Sequence, residues 1–445
     1  MKRAIVWFRR DLRIADNTAF LAAIREAEEI IPLFLFDDYI LENLPPDDLR
    51  LSFLTNVLVT LRTDLQSIGG NLFVFRGKPE ELIPKITEIC SAEAVFLNRA
   101  VSRYGKKRDA RIQKILSEKG ISFLESQDTF SVDEALLPPR KVFSAFWRKW
   151  KEVPKIAPVS APEFCKIPAV SFSPLHDIAE TLIAKEHPLW NSRRLHIFPH
   201  DFSLEHYSET RNFPALEDGT SRLSPFLRFG ILSVRQIWNA LQQYKHASES
   251  QEAFAKELCW REFWFHIAQH FPESLEHEFQ EKRRNIAWQK NDELLNAWKT
   301  GNTGYPLVDA GMRQLQHEGW MHGRVRMVVS SFLTKDLLLD WREGERHFAN
   351  CLFDYEEAVN VGNWQWSASV GADPKPMRIF NPMLQSKRFD PEAVYIRRYL
   401  PELTNVPLKH IHNPVQYALP LASPIVFHAE QVSKAKRMYG QRAKR

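Results

Sequence analysis

Between residues 4 and 125, short apolar runs alternate with helical stretches, and this alternation constrains the fold more than any other feature. The runs are AIVWF, IIPLFLF, NLFVFRG, AVFLN and ISFLE, with stretches such as NTAFLAAIREAEE and LSFLTNVLVTLRTDLQSIGG between them. Apolar runs at this spacing predict buried strands joined by crossover helices, the pattern of an α/β, doubly wound parallel sheet. No GxGxxG follows the first run, so the pattern predicts the fold without predicting a ligand.

The remainder of the chain changes character twice. Prolines recur between residues 129 and 200, and apolar periodicity fades there, which is typical of a long surface connection. From residue 201 onward, apolar residues recur at three- and four-residue spacing, which predicts helices. We therefore expect an α/β domain over residues 1–128, a linker over 129–200 and an all-helical domain over 201–445.

Composition narrows the class of protein. The chain is 44% hydrophobic and 26% charged, as globular proteins are. Its four cysteines lie far apart without a CxxC, which indicates neither zinc nor disulfides. The start, MKRAIVWFRR, is too charged for a signal peptide, and no apolar run reaches membrane-span length. We expect a soluble cytoplasmic protein, associated with the nucleoid if its source is bacterial.

The charge balance permits a polyanionic partner. The sequence pI is about 8.9, and six of the last twelve residues are basic. Such an excess is compatible with nucleic-acid binding, and a solvated basic tail is the alternative.

The stretch DGTSRLSPFLRFG is a candidate phosphate site. It sets the hydroxyls of Thr220, Ser221 and Ser224 around Arg222, just before a predicted helix. Hydroxyls, free amides and a helix N-terminus together hold phosphate well. An ordinary capped turn is the alternative interpretation.

The stretch KELCWREFWFH places Glu257, Trp260, Arg261 and Trp264 on one face of a predicted helix, because their spacing is i, i+3, i+4, i+7. Two indoles with a carboxylate and a guanidinium are unusual for a core. They suit a wall where flat rings meet a polar aromatic ligand. A partly buried ion pair beside packed indoles is the alternative.

Arginines in GWMHGRVRM are followed by acids in FDYEEAVN. Buried arginines need carboxylate or phosphate partners. We therefore predict a pair between Arg326 and Asp354, with a surface helix of solvated charges as the alternative.

The segment VGNWQWSASVG carries two tryptophans one residue apart. If residues 357–368 are helical, Trp364 and Trp366 point about 200° apart, at about 100° per residue. One would then face a buried cofactor and the other a cavity open to solvent. A strand would instead place both on one face.

Taken together, the motifs resemble the photolyase/cryptochrome flavoproteins over nearly the whole chain. The matching segments are VWFRRDLRIADN, GTSRLSPFLRFG, WREFWFH, TGYPLVDAGMRQL, GWMHGRVRM, DWREGERHF, NWQWSASVGAD and RIFNP. Within the family, the set of Glu257, Trp260, Met327 and Trp366 resembles the class I cyclobutane pyrimidine dimer (CPD) photolyases.

The resemblance implies a bound FAD in the helical domain. By matching motif, its phosphates and ribityl chain would be held by Tyr207, Thr220, Ser221, Arg222, Leu223 and Ser224. Asp354, Tyr355 and Glu356 would line the flavin ring, with Arg326 paired to Asp354. Asn360 would lie beside flavin N5, where an amide stabilises reduced flavin.

The resemblance also implies an electron relay and a lesion pocket. Trp364, Trp341 and Trp288, spaced by 23 and 53 residues, would carry electrons from the surface to the flavin. Trp260 and Trp366 would wall the pocket, and Glu257 and Arg211 would meet the carbonyls of the dimer. Further DNA or lesion contacts would come from Arg261, Gly323, Arg324, Met327, Gln385, Lys387 and Arg388.

The implied activity is light-dependent repair of ultraviolet-damaged DNA by a monomer without a catalytic metal. A cryptochrome-like blue-light sensor without repair activity is the alternative. Only about forty residues follow RRYLPEL, which favours repair over a sensor with a long signalling tail.

Three positions depart from the family pattern. Gly323 stands where class I members usually have Asn, and Glu356 replaces the more usual Asp, so lesion affinity and flavin contacts are both in question. Tyr104 and Gly105 stand where folate-antenna members tend to carry Asn and Glu. This argues against a folate antenna and leaves a deazaflavin, a second flavin or no antenna.

Overall fold

The computed structural model describes residues 1–45, 48–182, 204–244, 248–372 and 377–440. The described residues fall into two compact units. The first is drawn from Met1–Leu137, Glu152–Asp201 and Arg222–Lys245. The second is drawn from Pro138–Lys151, Phe202–Ser221 and His246–Arg445.

The first unit is built on a five-stranded sheet with the strand order β3-β2-β1-β4-β5. Every pairing between neighbouring strands is parallel. All five apolar runs of the sequence are strands, so the predicted doubly wound sheet is confirmed. The strands are β1 (Arg3–Phe8), β2 (Glu29–Asp37), β3 (Phe73–Gly77), β4 (Ala94–Asn98) and β5 (Ser122–Ser126).

Crossover helices bury the sheet because their apolar faces close over continuous apolar strands. Ile5, Trp7, Leu33 and Val95 lie in one buried cluster with residues from the helices. The helices of this part of the unit are α1 (Thr18–Glu26), α2 (Asp38–Glu42), α3 (Leu49–Ser67), α4 (Pro79–Cys90) and α5 (Arg103–Glu118).

The described part of the expected linker is mostly exposed or half-buried, but its backbone is hydrogen-bonded to the sheet. The backbone N–H of Ile30 donates to the carbonyl of Lys166 at 2.8 Å, and that of Ile178 donates to the carbonyl of Val74 at 2.8 Å. The ring of Phe172 packs on that of Phe73 at 4.8 Å. This segment covers an edge of the sheet, so its hydrogen bonds are non-local and its sequence carries no strand period. Residues 183–200 of the expected linker lie outside the described residues.

Helices α8 (Ser224–Arg228) and α9 (Val234–Leu241) also differ from expectation, because they belong to the first unit rather than the helical one. A buried ion network explains this. Arg235 is 1% exposed and donates to Asp16 at 2.9 Å and to Asp128 at 2.7 Å. Burial opposes its charge, but Asp128 and Asp16 together hold the pKa of Arg235 above its ordinary value.

The second unit is helical in its described residues, as the sequence predicts for most of it. None of the helices in the described part of the chain combines the length and hydrophobicity that a bilayer crossing requires. The helices are α6 (Phe143–Glu152), α7 (Tyr207–Thr210), α10 (Ser248–His270), α11 (Asp292–Lys299), α12 (Pro306–Glu318), α13 (Gly323–Ser331), α14 (Trp341–Cys351), α15 (Glu357–Ser367), α16 (Pro382–Phe389), α17 (Val394–Tyr399), α18 (Leu408–Ile411) and α19 (His428–Gly440).

Two helical glycines provide a test of packing in the second unit. A Cβ on Gly344 of α14 would lie 2.1 Å from Cη2 of Trp364, whereas a Cβ on Gly323 would meet no atom within 4 Å. We expect Gly344→Ala to lower the free energy of unfolding by about 1–3 kcal/mol, because the indole has to move. Gly323→Ala should cause no loss and a gain of up to about 1 kcal/mol. Urea unfolding followed by circular dichroism measures both, and equal effects would contradict this packing.

Candidate functional site

The side-chain amide of Gln365 fixes helix α15 in place. Its Nε2 donates to the carbonyls of Ser274 at 2.6 Å and His277 at 2.9 Å, and its Oε1 accepts from the backbone N–H of Phe279 at 2.9 Å. Gln365 is 2% exposed, so these bonds satisfy a polar group that would be costly to bury alone. Helix α15 spans Glu357–Ser367 with Ala368 as its C-cap, so the helical alternative for residues 357–368 is the correct one.

The two tryptophans beside Gln365 have different surroundings, as the helical interpretation predicts. Trp364 is buried edge-on against the ring of Phe348 at 5.0 Å and that of Trp298 at 6.0 Å. Trp366 is only half-buried, and the Arg378 guanidinium lies over its ring at 4.1 Å. Trp364 thus belongs to the core, while Trp366 keeps part of its surface accessible.

Helix α10 carries an aromatic wall at Trp260. Phe143 of α6 stacks face to face on Trp260, with ring centroids 3.5 Å apart and planes 4° apart. Trp264, one turn further along α10, lies at 5.4 Å from Trp260 and is buried. Aromatic pairs usually adopt offset or edge-on arrangements at 4.5–7 Å, so full overlap of two half-buried rings is unusual.

Sequence reasoning missed Phe143, because it assigned this part of the chain to the linker. A contact across more than a hundred residues has no local signature beyond the aromatic segment VFSAFW. The backbone N–H of Arg140 donates to Nε2 of His266 at 3.0 Å, which holds the chain leading to Phe143 against α10. Burial lowers the pKa of His266 to about 4, so its ring stays neutral and can accept this bond.

Glu257 and Arg211 are brought together, with Nη2 of Arg211 donating to Oε1 of Glu257 at 2.5 Å. The side chains are 28% exposed for Arg211 and 43% for Glu257. The Arg211 guanidinium also lies over the buried Tyr207 ring at 5.4 Å. Burial, and then the charge of Glu257, raise the pKa of the Tyr207 hydroxyl. An ion pair beside the indoles, the alternative interpretation of this helix face, is therefore present, but Arg211 and not Arg261 supplies the cation.

The predicted pair between Arg326 and Asp354 is formed, at 2.9 Å between Nη2 and Oδ2. Arg326 Nε also donates to the carbonyl of Met321 at 2.8 Å. The Asp354 side chain is 2% exposed, and its Oδ1 has no hydrogen-bond partner among the described residues. A buried carboxylate oxygen without a donor is suited to an N–H or O–H of a ligand.

Asn360 and Tyr355 converge on one carboxylate. The Asn360 amide donates through Nδ2 to Oε1 of Glu345 at 3.1 Å, and the Tyr355 hydroxyl donates to the same oxygen at 3.1 Å. These bonds use the NH2 group of Asn360 and not its amide oxygen. Glu345 was missed by sequence reasoning, although it lies in the motif DWREGERHF.

Trp341 and Trp288, the other two tryptophans of the expected relay, lie on two chain segments whose backbones are hydrogen-bonded to each other. Trp341 is buried, and its Nε1 donates to Glu278 at 3.3 Å. Trp288 is half-buried, and its ring packs edge-on to that of Tyr439 at 6.0 Å. The backbone of Gln289 pairs with residues 338–339, which brings Trp288 next to the chain leading into Trp341.

Basic side chains gather at the ring of Phe389, and we call Arg324, Lys387 and Arg388 the cationic face. The guanidinium carbons of Arg324 and Arg388 lie 4.4 Å and 5.1 Å from the Phe389 ring centroid. Lys387 and Arg388 are exposed, and Arg324 donates to Asn212 at 2.6 Å. Burial, together with the charges of Arg211 and Arg388, lowers the pKa of Arg324.

The predicted phosphate segment is divided. Thr220 and Ser221 belong to the second unit, whereas Arg222, Leu223 and Ser224 belong to the first. Arg222 has left-handed backbone with φ of 49°, and Ser224 begins the short helix α8.

The other predicted site residues lie on elements of the second unit. These are Arg261 over Phe265 on α10, Gly323 and Met327 on α13, Glu356 just before α15, and Gln385 on α16.

The second-unit residues fit a flavin. A flavin ring carries both hydrogen-bond donors and acceptors, and Asp354 presents a buried acceptor without a donor. Arg326 holds that carboxylate at one oxygen only, so the other stays available. Among the described residues, no group of three or more His, Cys, Asp or Glu side chains is placed to hold a metal ion.

Comparisons with known proteins identify the family of this chain. Residues 4–163 match the DNA photolyase family, and residues 254–441 match the FAD binding domain of DNA photolyase. The deoxyribodipyrimidine photo-lyase of Synechococcus sp. is 38% identical, covering 98% of this chain and 96% of the relative.

Two solved structures share the fold over their full length. An archaeal photolyase from Sulfolobus tokodaii, solved with two FAD molecules, matches with a TM-score of 0.89 and 34% identity, covering 99% of this chain and 100% of that one. A cryptochrome from Synechocystis matches with a TM-score of 0.91 and 28% identity, covering 98% and 99%. This chain belongs to the photolyase/cryptochrome family of flavoproteins, and its helical unit carries the FAD-binding domain of that family.

The buried carboxylate predicts an effect on FAD retention. Asp354→Asn removes the charge that pairs with Arg326, and a charged hydrogen bond of this kind contributes about 1.5–3 kcal/mol. We expect FAD to bind about ten- to a hundredfold more weakly, measured by titration of apoprotein with FAD. The matched control is Glu343→Gln, which breaks an exposed pair with Arg346 and should leave FAD affinity unchanged. Unchanged affinity in Asp354→Asn would show that this carboxylate does not face the cofactor.

The stacking of Phe143 on Trp260 predicts how removing the Phe143 ring changes the affinity for a lesion. If Phe143 supports the indole from behind, Phe143→Ala lets Trp260 tilt, and affinity for a single-stranded oligonucleotide with one CPD should fall about tenfold. Phe143→Tyr keeps the ring and should bind as the unmodified protein does. Fluorescence anisotropy measures both. Tighter binding by Phe143→Ala would instead mean that Phe143 occupies the place of the lesion.

Proposed function

We propose that this protein is a deoxyribodipyrimidine photo-lyase that uses light to split a cyclobutane pyrimidine dimer in DNA into two pyrimidines. One observation carries the proposal. Glu257 and Trp260, one turn apart on α10, are both partly exposed beside Arg211, in a chain whose residues 254–441 match the FAD binding domain of DNA photolyase. The assignment to class I is part of the proposal.

When bound and reduced, FAD supplies the photoexcited electron that opens the cyclobutane ring. The protein's own task is to hold the dimer and keep water away. Phe143 covers one face of the half-buried Trp260, and Arg378 lies over one face of the half-buried Trp366, so each indole offers its other face to a pyrimidine. Phe143 fixes the plane of one indole and Gln365 fixes the helix that carries the other, so both surfaces are preorganised.

Glu257 and Arg211 act on the carbonyl oxygens of the dimer. In the structure the two side chains bind each other. An exposed ion pair contributes at most about 1 kcal/mol, so opening it for a substrate costs little. Arg211, and Glu257 once it has taken up a proton from solvent, then donate to the carbonyls and stabilise the charge that develops there.

The dimer has to leave the duplex to reach these residues, and photolyases are among the enzymes that extrude their target in this way. A dimer stacks and pairs poorly, so its extrusion costs less than that of normal bases. Arg324, Gln385, Lys387 and Arg388 contact the phosphate backbone, which makes affinity fall as salt rises.

Trp364, Trp341 and Trp288 form a route by which an electron moves from the surface to the cofactor site. Two of them are buried and Trp288 is half-buried at the outer end. This route restores the reduced cofactor and takes no part in splitting the dimer. Glu345 holds the side-chain amide of Asn360, which would lie beside the flavin.

A sensory flavoprotein without repair activity is the second candidate. The full-length match to the Synechocystis cryptochrome favours it, as does Gly323, where an amide expected near the lesion is absent. Photoreduction without loss of dimers would identify this function.

We further propose that the protein works as a monomer on damaged DNA in the cytoplasm, and that it carries no folate antenna. The Tyr104 hydroxyl donates to Asp37 at 2.7 Å and its ring stacks on Tyr39 at 4.6 Å, at the position where folate-binding relatives carry an amide.

The test compares repair with photoreduction. Purified protein with chemically reduced FAD should remove dimers from ultraviolet-treated DNA under blue light and not in the dark. Trp288→Phe should slow photoreduction at least tenfold and leave repair by pre-reduced protein within a factor of about two, because the relay is outside the repair step. No loss of dimers above the dark control would overturn the proposal, and equal loss of both activities would contradict the relay.

A further inference from the structure

Glu278 is a buried carboxylate that no step of the proposed repair reaction uses. Its side chain is 3% exposed, against 32% for that of its partner Arg342. Nη1 of Arg342 donates to Oε1 of Glu278 at 3.0 Å, and Nη2 donates to Oε2 at 2.9 Å. Burial opposes the charge of Glu278, but the hydrogen bonds and the charge of Arg342 hold the pKa of this carboxyl below its ordinary value. Glu278 is therefore a fixed negative charge inside the second unit.

The same carboxylate holds the indole of Trp341. Nε1 of Trp341 donates to Oε1 of Glu278 at 3.3 Å, and Trp341 is 1% exposed. Removing an electron from Trp341 leaves a positive indole in a place that water does not reach, and an unpaired charge there would be costly. A hydrogen bond gains strength when its donor is positive and its acceptor negative. The Glu278 carboxylate is therefore placed to offset the cost of charging this indole.

The guanidinium of Arg342 acts in the opposite direction. Its carbon lies 4.7 Å from the centroid of the Trp341 ring, whereas the carboxylate contacts the indole N–H directly. Arg342 is also bound by Asp340 at 3.1 Å, and water reaches part of its side chain and screens its charge. A buried charge is screened much less. The carboxylate therefore has the larger effect, and the net field at Trp341 favours a positive charge.

The backbone of Glu278 is fixed by the residue that separates Trp364 from Trp366. Gln365 binds the carbonyl of His277 and the backbone N–H of Phe279, at 2.9 Å each. These two residues flank Glu278. The carboxylate is thus held in place before any charge appears, so nothing has to reorganise when the charge develops.

We propose that Glu278 is the counter-charge of the electron relay, lowering the energy of oxidised Trp341 and so favouring electron transfer through the middle of the relay. When Trp341 gives one electron to oxidised Trp364, it becomes a radical cation and keeps its N–H proton, which stays hydrogen-bonded to Glu278. An electron from Trp288 then restores Trp341. A thiolate in solution, oxidised to a thiyl radical, restores Trp288. The inference rests on the relay of the proposed function and adds to it a residue that is not a tryptophan.

The experiment measures the quantum yield of flavin photoreduction in the FAD-loaded protein, with a thiol as reductant at alkaline pH. Glu278→Gln keeps the shape and an acceptor oxygen but removes the charge. We expect it to lower the yield about three- to tenfold. The matched control is Glu273→Gln, which removes an exposed carboxylate from the same segment and should leave the yield unchanged. An unchanged yield in Glu278→Gln would overturn the inference.

Arg342→Gln separates the charge of Glu278 from a merely structural role. Glu278→Gln and Arg342→Gln both break the same ion pair, so urea unfolding should show a similar loss of stability in the two variants. Their effects on photoreduction should differ, because Arg342→Gln removes a cation beside the ring and should keep the yield at or above that of the unmodified protein. The alkaline pH keeps Glu278 ionised without its partner. A fall of equal size in both variants would mean that the pair is only structural and would overturn the inference.

A second readout follows the charge on Trp341 itself. In Trp288→Phe the positive charge stops at Trp341, so the absorption of the tryptophan radical after a light flash reports on that residue. Adding Glu278→Gln should shorten the lifetime of this radical about threefold, because charge that returns to Trp364 recombines sooner. An unchanged lifetime would overturn the inference and leave the relay and repair standing. Photoreduction that does not depend on Trp341 or Trp288 would overturn the relay and the inference together, and repair by pre-reduced protein tests the repair function separately.

Discussion

The three hydrogen bonds of Gln365 are the constraint on which the candidate site depends. A buried amide must satisfy its donors and its acceptor, and here all of its partners are backbone groups of the segment 274–279. Helix α15 therefore cannot rotate without leaving polar groups unpaired. Trp364 and Trp366 are two residues apart, so their side chains diverge by about 200° around the helix. Fixing Gln365 between them therefore fixes the directions of both indoles. The single polar side chain of Gln365 thus determines that Trp364 lies in the core and that Trp366 stays accessible.

Two ion pairs of the second unit, Arg326–Asp354 and Arg211–Glu257, differ in a way that matches their proposed tasks. The Asp354 carboxylate is almost fully buried and held by Arg326 at one oxygen, so it is a permanent feature of the site. Glu257 and Arg211 are much more exposed, and their attraction is screened by water. A buried pair suits a resident cofactor, whereas an exposed pair suits groups that must change partners when a substrate arrives.

The sequence predicts the elements of this fold better than it predicts their partners. The five strands follow from continuous apolar runs, and most helices follow from three- and four-residue spacing, because both signals are local. The Arg326–Asp354 pair could be predicted because a buried guanidinium needs a carboxylate. The packing of segment 166–178 on the sheet could not be predicted, since its hydrogen bonds run to strands β2 and β3 and leave no periodic pattern in its own sequence. The sequence did not predict the roles of Phe143 and Glu345 for the same reason. Each acts through a contact with a residue that only the tertiary fold brings near.

Gly323 stands at the position where class I photolyases usually carry Asn. A side chain at this position would find open space, since no atom lies within 4 Å of where its Cβ would be. Glycine itself offers no side-chain amide at this position, and no described neighbour comes within that distance. In the proposed function, the pyrimidine pair would then be held mainly by the stacked surface of Trp260 and Phe143 and by the ion pair one turn away.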